Sequence, residues 1–184
     1  MPLTIRDGTG SGAEAKVTPE NQLETHSVTE LEIVHASLDG NAYVWTSGTQ
    51  DIDSTDTMLF IKNTGDIPLN LSTLDVIGSN VACTWTIHIG SDTTTPASVA
   101  SVVDGVNLNR IFAAKVADAE ARIDETAVAD GDILMTFHTA ATVQARPISL
   151  VGIILGKGHY IQINQETEST SGTVTIVGYF EHGD

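Results

Sequence analysis

The chain has 184 residues, with 24 acidic against 8 basic side chains and a formal net charge of -16 at pH 7. This length predicts one domain with a sizeable core. Binding to phosphate backbones or anionic membranes requires clustered Lys and Arg, so the acidic balance and the scattered basic residues argue against nucleic acid and membrane as partners.

Cysteine content and apolar run lengths exclude further classes. Cys83 is the only cysteine, which rules out an intrachain disulfide and a cysteine-based zinc site. The opening MPLTIRDGTGSG has no apolar stretch of signal-peptide length, and the longest apolar run, Ile148–Leu155, is too short to cross a bilayer as a helix. We therefore expect the chain to be made and folded in a cytoplasm.

Residues 1–27 are polar and glycine-rich, with little periodic apolar signal. Such a segment buries too little surface to order itself, so it predicts an extended N-terminal arm ahead of a β domain at 28–184. The glycines of Asp7–Gly12 do not predict a phosphate loop, because no strand precedes them and no helix follows. The few anchoring side chains of the arm are Ile5, Arg6, Val17 and Leu23.

Apolar alternation follows the arm, beginning at Val28 with a β-rich region as far as Leu38. Further strands are predicted at Ala42–Thr46, Thr57–Asn63, Ile67–Ile77, Val81–Ile89, Ile133–Thr139, Ile148–Leu155, Tyr160–Asn164 and Thr173–Phe180. The two strands that flank Thr64-Gly65-Asp66 are expected to pair as a hairpin. Because Ile148–Leu155 is apolar throughout, we expect it to be a central strand covered on both faces. These segments predict an all-β, antiparallel sandwich or barrel.

Residues 106–129 are compatible with two structures. The alanine-rich stretch Ile111–Ile123 could form a short helix with Phe112, Val116 and Ile123 roughly on one side. Alternation from Val116 to Ile123 favours a strand instead. We favour the strand because the surrounding elements are β and tertiary context overrides weak propensity.

The acidic and histidine residues provide weak metal-site patterns. Asp51, Asp53 and Asp56 could offer oxygen ligands to calcium, but their loop lacks the central glycine and distal glutamate of an EF-hand, which favours a solvated loop. His88 and His138 lie on the polar faces of predicted strands and could be neighbours across a sheet. A third zinc ligand is not evident, so we expect both histidines to face solvent.

Catalytic patterns are equally weak. Cys83 lies in the middle of a strand beside Trp85, which suits a small core side chain better than an accessible nucleophile. No Gly-x-Ser-x-Gly motif occurs, and nine aromatic residues are few for a sugar-binding platform. We expect no catalytic residue, no cofactor and no bound metal.

Short motifs occur through the first 65 residues: IRDGTGSG at 5–12, AKV at 15–17, NQL at 21–23, HSVTE at 26–30, NAY at 41–43 and FIKN at 60–63. Together they resemble virion structural proteins of tailed phages or archaeal tailed viruses, of the head decoration or cement type. The resemblance implies an extended N-terminal segment followed by a jelly-roll-like β-sandwich. The motifs are structural, so the resemblance implies no active site.

We therefore expect a non-enzymatic capsid decoration protein, located in the virion after assembly in the host cytoplasm. Its arm, through Ile5, Arg6, Val17 and Leu23, would bind the capsid or a neighbouring virion protein, and its body would form a homo-oligomer, with a trimer favoured. The alternative is a carbohydrate-binding or adhesin-like β-sandwich that uses the loops Asp51–Asp56 and Ser91–Ser98, with calcium. An enzyme such as a glycan hydrolase is the third possibility.

Overall fold

The computed structural model describes residues 5–6, 14–17, 23–24, 32–52, 57–78, 82–91, 101–123, 131–141, 145–167 and 169–181. Its internal contacts divide the chain into two units, Met1–Leu31 and Glu32–Asp184. The sequence predicted a division after residue 27. The two units are described separately.

The described residues of the first unit form three short strands. They are β1 (Ile5–Arg6), β2 (Glu14–Val17) and β3 (Leu23–Glu24), which pair in the order β1-β2-β3. Both pairs are antiparallel. The described residues predicted to form an arm therefore belong to a small sheet.

The described residues of the second unit form one α-helix, one short 3₁₀ helix at Arg110–Phe112 and two β-sheets. The helix α1 spans Glu32–Leu38. The strands are β4 (Ala42–Thr46), β5 (Gln50–Ile52), β6 (Thr57–Asn63), β7 (Leu69–Ile77), β8 (Cys83–Ser91), β9 (Ser101–Val102), β10 (Val106–Asn107), β11 (Ala119–Ile123), β12 (Asp132–Thr139), β13 (Ala145–Ser149), β14 (Ile154–Leu155), β15 (His159–Gln165) and β16 (Ser169–Phe180).

The strand order is that of a jelly roll. One sheet has the order β10-β4-β16-β7-β13, with β14 also paired to β7 and β5 to β16, and the other has the order β12-β8-β15-β6-β11-β9. Eight main strands divide equally between the two sheets. Counted along the chain, the first of them pairs with the last, the second with the seventh, the third with the sixth and the fourth with the fifth. These pairs are β4 with β16, β6 with β15, β7 with β13 and β8 with β12. This nested antiparallel pairing confirms the predicted jelly-roll-like sandwich.

Alternation along the strands produces the core between the sheets. The inner faces bury large side chains, among them Trp45, Trp85, Ile87, Ile161 and Ile176. The Trp85 ring stacks on Phe137 with centroids 6.4 Å apart, and its indole nitrogen donates to the Thr139 hydroxyl at 2.9 Å. Burial of Cys83 within this cluster confirms its expected core position.

The prediction of β structure for the residues that lead to Leu38 is wrong from residue 32 onward. Glu32–Leu38 forms α1, which buries Ala36 and leaves most of its other side chains at least partly exposed. Gly40 follows in the left-handed region, with φ of 71°, and its amide bonds to the Ser37 carbonyl. A glycine in this conformation just after a helix is a common terminator, and it was available in the sequence as a helix-end signal.

The predicted hairpin is also wrong, because β6 and β7 belong to different sheets. Thr64-Gly65-Asp66 does reverse the chain, but the reversal passes from one sheet to the other. Both strands are strongly apolar, and each meets a partner distant in sequence, β15 for β6 and β16 for β7. A turn motif identifies a change of direction and does not identify the strand's partner.

The run Ile148–Leu155 is not one central strand. It divides into β13 and β14 around a turn with Gly152 at φ of 95°. Within the part of the chain that the structure describes, β13 lies at an edge of its sheet and pairs with β7 alone. Val151 and Ile154 are exposed. The apolar side chains of this run are divided between the core and the surface, so an unbroken apolar run did not indicate one strand covered on both faces.

Residues 106–123 combine the two structures that the sequence allowed. Ala119–Ile123 forms β11, as the alternation predicted. Arg110–Phe112 makes one 3₁₀ turn, capped by the Asn109 side chain, which accepts from the Ile111 amide. The remaining residues of the predicted stretch, 124–129, lie outside the described residues.

Candidate functional site

The predicted arm residues lie together in the N-terminal sheet. Ile5 and Arg6 form β1, Val17 ends β2 and Leu23 begins β3. The register places Ile5 opposite Ala15, and Val17 opposite Leu23. Positions opposite each other, or two apart on one strand, share a face of a sheet, so Ile5, Ala15, Val17 and Leu23 hold positions on one face.

The other face carries charged residue types. Arg6 is opposite Glu14, and Lys16 is opposite Glu24. The N-terminal sheet is therefore apolar by residue type on one face and charged on the other. Of the four predicted residues, Ile5, Val17 and Leu23 hold apolar-face positions and Arg6 holds a charged-face position.

The acidic loop offered for calcium is only partly described. Asp51 belongs to β5, where the sequence predicted a loop, while Asp53 and Asp56 lie outside the described residues. Ser91 is the last residue of β8, and the rest of the Ser91–Ser98 loop is likewise outside them. Within the described ranges, no three His, Cys, Asp or Glu side chains come together as a metal site.

The expectation that His88 faces solvent is wrong. His88 is buried on the face of β8 that points away from the core, and its Nε2 lies 2.9 Å from the Thr86 hydroxyl. Thr86 donates in turn to the Glu166 carboxylate. His138 lies opposite Thr84, not His88, with Nδ1 3.0 Å from the Thr84 hydroxyl. The two histidines therefore do not form the cross-strand pair considered for zinc.

A cleft of about 290 Å³ opens at one end of the sandwich. We call it the end cleft. Its apolar lining is Ile89 from β8, Ile153, and Ile154 and Leu155 from β14, and its polar lining includes Ser91, Asp132 and His159. The Tyr160 ring lies over Gly90, where an added Cβ would be 2.6 Å from the tyrosine oxygen. The glycine therefore leaves room for the Tyr160 ring, which also packs on the Phe60 ring with centroids 5.1 Å apart.

The cleft was not predicted from the sequence, because its residues come from four separate segments. A second feature that was not predicted is the basic loop, which we define as residues 106–117, VNLNRIFAAKVA. The loop contains Arg110 and Lys115 and no acidic residue, in a chain with a net charge of -16. It exposes several apolar side chains, with Ile111 at 87% and Val116 at 73%. Its positive charge was the sequence signal that could have identified it, but the stretch was considered only as a choice between helix and strand.

Helix α1 borders the basic loop and is tied to the sheet at its first residue. The Tyr179 hydroxyl donates to the Glu32 carboxylate at 2.7 Å. Desolvation, followed by the hydrogen bond and charge of Glu32, raises the pKa of Tyr179 to about 12. Burial also raises the pKa of Tyr43, whose hydroxyl lies 3.3 Å from the Gly40 carbonyl and 3.4 Å from that of Val116.

Comparisons with protein-family models, curated proteins and solved structures find no significant match to this chain. Among the described residues, no helix has the length and apolar character needed to cross a membrane. Three surfaces of the molecule therefore remain as candidates for function: the N-terminal sheet, the end cleft and the basic loop.

Proposed function

We propose that this chain is a non-enzymatic virion structural protein, a capsid decoration or cement protein that binds the viral shell through its first unit. The observation that carries the proposal is the register of the N-terminal sheet, which collects Ile5, Val17 and Leu23 on one face of a unit separate from the jelly roll. A small sheet of this kind suits docking on a neighbouring protein, because an apolar face gains free energy when it leaves water.

The proposed mechanism is mechanical. A subunit that binds only the assembled shell stabilises that assembly by mass action, because separation of the shell proteins must also release the bound subunit. The proposal includes no catalytic step, cofactor or metal. The acidic charge of the chain favours a protein partner over packaged nucleic acid, since like charges repel.

The test is binding to shells that lack this protein, measured by co-sedimentation. Val17→Asp with Leu23→Asp puts two charges on the apolar face, and we expect affinity to fall at least about tenfold, which corresponds to about 1.4 kcal/mol. The matched control, Lys16→Ser with Glu24→Gln, alters the opposite face and should bind like the wild type. Full binding by the apolar-face variant would contradict the proposal.

The alternative is a carbohydrate-binding β-sandwich, and the end cleft favours it. The cleft is lined by apolar side chains together with the polar residues Ser91, Asp132 and His159, and Ser91 begins one of the loops expected to bind glycans. Ligand pockets in general combine an apolar lining with a few polar groups. A glycan array would support this alternative if it gave hits that Asp132→Asn abolishes, and an array without hits would remove it.

A further inference from the structure

The basic loop displays apolar side chains that the fold does not need to expose. Ile111 is 87% exposed, and Leu108, Phe112 and Val116 are also exposed. Among the described residues, the ion pairs are His35–Asp39, Arg122–Glu120 and Lys157–Asp66, and none of them includes Arg110 or Lys115. An exposed patch with this composition is typical of an interaction surface.

Asparagine side chains hold this loop in one conformation. Asn107 donates to the Gly40 carbonyl at 2.7 Å, and its side-chain oxygen accepts from the Asn109 amide at 2.9 Å. Asn109 donates to the Leu38 carbonyl at 3.2 Å and accepts from the Ile111 amide at 3.1 Å. Ile111 is thus presented in a fixed position, which lowers the entropy lost on binding.

The end cleft has the complementary properties. Its lining includes the apolar residues Ile89, Ile153 and Leu155, together with Ile154, which is 58% exposed. Asp132, an exposed residue, is the acidic member of the lining. The cleft therefore suits an apolar side chain with a basic neighbour, and the basic loop carries that pair as Arg110-Ile111.

The loop and the cleft cannot meet within one chain. A row of neighbouring residues crosses the sheet that contains β4, β16 and β7. The Leu108 amide bonds to the Ala42 carbonyl at 2.9 Å, Ala42 is opposite Tyr179, Tyr179 is opposite Asn70, and Asn70 is opposite Ile154. Both surfaces therefore lie at the same end of the sandwich but four strand spacings apart, which is roughly 19 Å. A second copy placed beside the first can bring its basic loop to the end cleft of the first copy.

We propose that the basic loop of one copy docks in the end cleft of a second copy, with Ile111 in the cleft and Arg110 paired with Asp132. The contact joins two different surfaces, so its repetition yields a ring where the rotation between copies closes and an open filament where it does not. It also brings positive charge to an acidic neighbour, which reduces the repulsion between highly charged copies. This interface does not depend on shell binding, and it is tested on the purified chain alone.

The first test measures solution mass by sedimentation. At about 0.1 mM, where a micromolar contact is filled, we expect the wild-type chain to be oligomeric and Ile111→Asp to be monomeric. The matched control is Val102→Asp, which alters another exposed apolar residue at 64% exposure and should assemble like the wild type. Arg110→Asp and Asp132→Arg should each weaken assembly at least tenfold, and the double exchange should restore it. A monomeric wild type, or an oligomer insensitive to Ile111→Asp, would overturn the proposal.

The second test distinguishes a head-to-tail contact from a symmetric one. A chain with Ile111→Cys is mixed with a chain with Ile154→Cys under a mild oxidant, and disulfide-linked dimers are counted on a non-reducing gel. We expect links in the mixture and few in either chain alone, because the native Cys83 is buried. Efficient linking of Ile111→Cys to itself would overturn the proposal in favour of loop-to-loop pairing. A glycan that binds the wild type without dissociating the oligomer would place the ligand elsewhere and would leave the cleft to the second copy.

Discussion

The core around Trp85 and the basic loop both contain large apolar side chains, and specific hydrogen bonds hold both. The apolar side chains are buried in the core and exposed to solvent in the loop. Trp85 is fully buried, stacks on Phe137 and donates to Thr139. Ile111 is almost fully exposed on a loop tied down by Asn107 and Asn109. In the core, order and burial occur together, while in the loop order occurs without burial.

This difference separates stability from interaction. A buried side chain contributes to folding because its apolar surface leaves water, at about 25 cal/mol per Å². An exposed side chain contributes little of this kind, so the hydrogen bonds that fix Ile111 do not serve to bury it. A fixed and exposed apolar side chain can be covered by a partner at a small cost in entropy, which supports the proposed role of the basic loop as an interface.

The largest predicted effect tests this separation directly. Trp85→Ala should destabilise the fold by about 3–5 kcal/mol, because it leaves a large cavity, whereas Ile111→Ala should change stability by no more than about 0.5 kcal/mol. Urea unfolding followed by circular dichroism measures both free energies. The protein concentration should be low, because assembly itself would add apparent stability. A large loss of stability in Ile111→Ala would mean that the side chain is buried in the folded monomer.

A second comparison uses two asparagines with similar local roles. Asn63 is buried and donates to the carbonyls of Ile67 and Leu155 at 2.9 and 2.8 Å, so it links the two sheets. Asn63→Ala leaves those carbonyls without this donor and should cost about 1–3 kcal/mol. Asn109→Ala removes a cap on an exposed turn and should cost no more than about 1 kcal/mol.

We expect the opposite order for oligomer formation, with Asn109→Ala more affected than Asn63→Ala. Asn109→Ala releases the loop that presents Ile111 and should weaken oligomer formation by more than its effect on stability, while Asn63→Ala should assemble normally at temperatures where it is folded. Sedimentation of both variants beside the wild type measures this. If Asn109→Ala assembles as well as the wild type, the preorganisation argument fails.

Local sequence patterns predicted the strands better than their partners. Thr57–Asn63 was predicted with the correct ends, because a buried strand bounded by polar turn residues is a local property. The sheet that receives each strand is not local. It depends on which distant apolar face is available, and for that reason β6 and β7 could not be recognised as strands of different sheets.

The candidate surfaces show the same limit. The Ile5, Val17 and Leu23 positions were selected from the sequence because they are isolated apolar residues in a polar segment. The end cleft could not be predicted, because Ile89, Asp132 and Ile154 become neighbours only after both sheets form. For the basic loop, the charge was visible in the sequence, but the exposure of Ile111 depends on the Asn109 contacts with α1.

The smallest predicted effect concerns the helix that supports the loop. Desolvation, and then the hydrogen bond and charge of Glu32, raises the pKa of Tyr179 from its ordinary value of 10.0 to about 12 in the folded chain. The folded state therefore holds its proton more tightly than the unfolded state. This contribution to stability is fully present below pH 10 and is lost as the pH rises from 10 toward 12.

Tyr179→Phe has no ionisable hydroxyl, so it should lose less stability than the wild type over this pH range. At neutral pH it should be less stable by about 0.5–1.5 kcal/mol, the value of one hydrogen bond. Glu32→Gln is the matched control, since it keeps an acceptor but removes the Glu32 charge, which adds to desolvation in raising the pKa of Tyr179. The loss of stability of Glu32→Gln between pH 10 and pH 12 should lie between those of the wild type and Tyr179→Phe. Tyr43, whose pKa is also raised by burial, titrates in all three proteins and cancels in the comparison. Equal slopes for wild type and Tyr179→Phe would show that the bond to Glu32 does not anchor α1, and the support of the basic loop would then have to come from its asparagines alone.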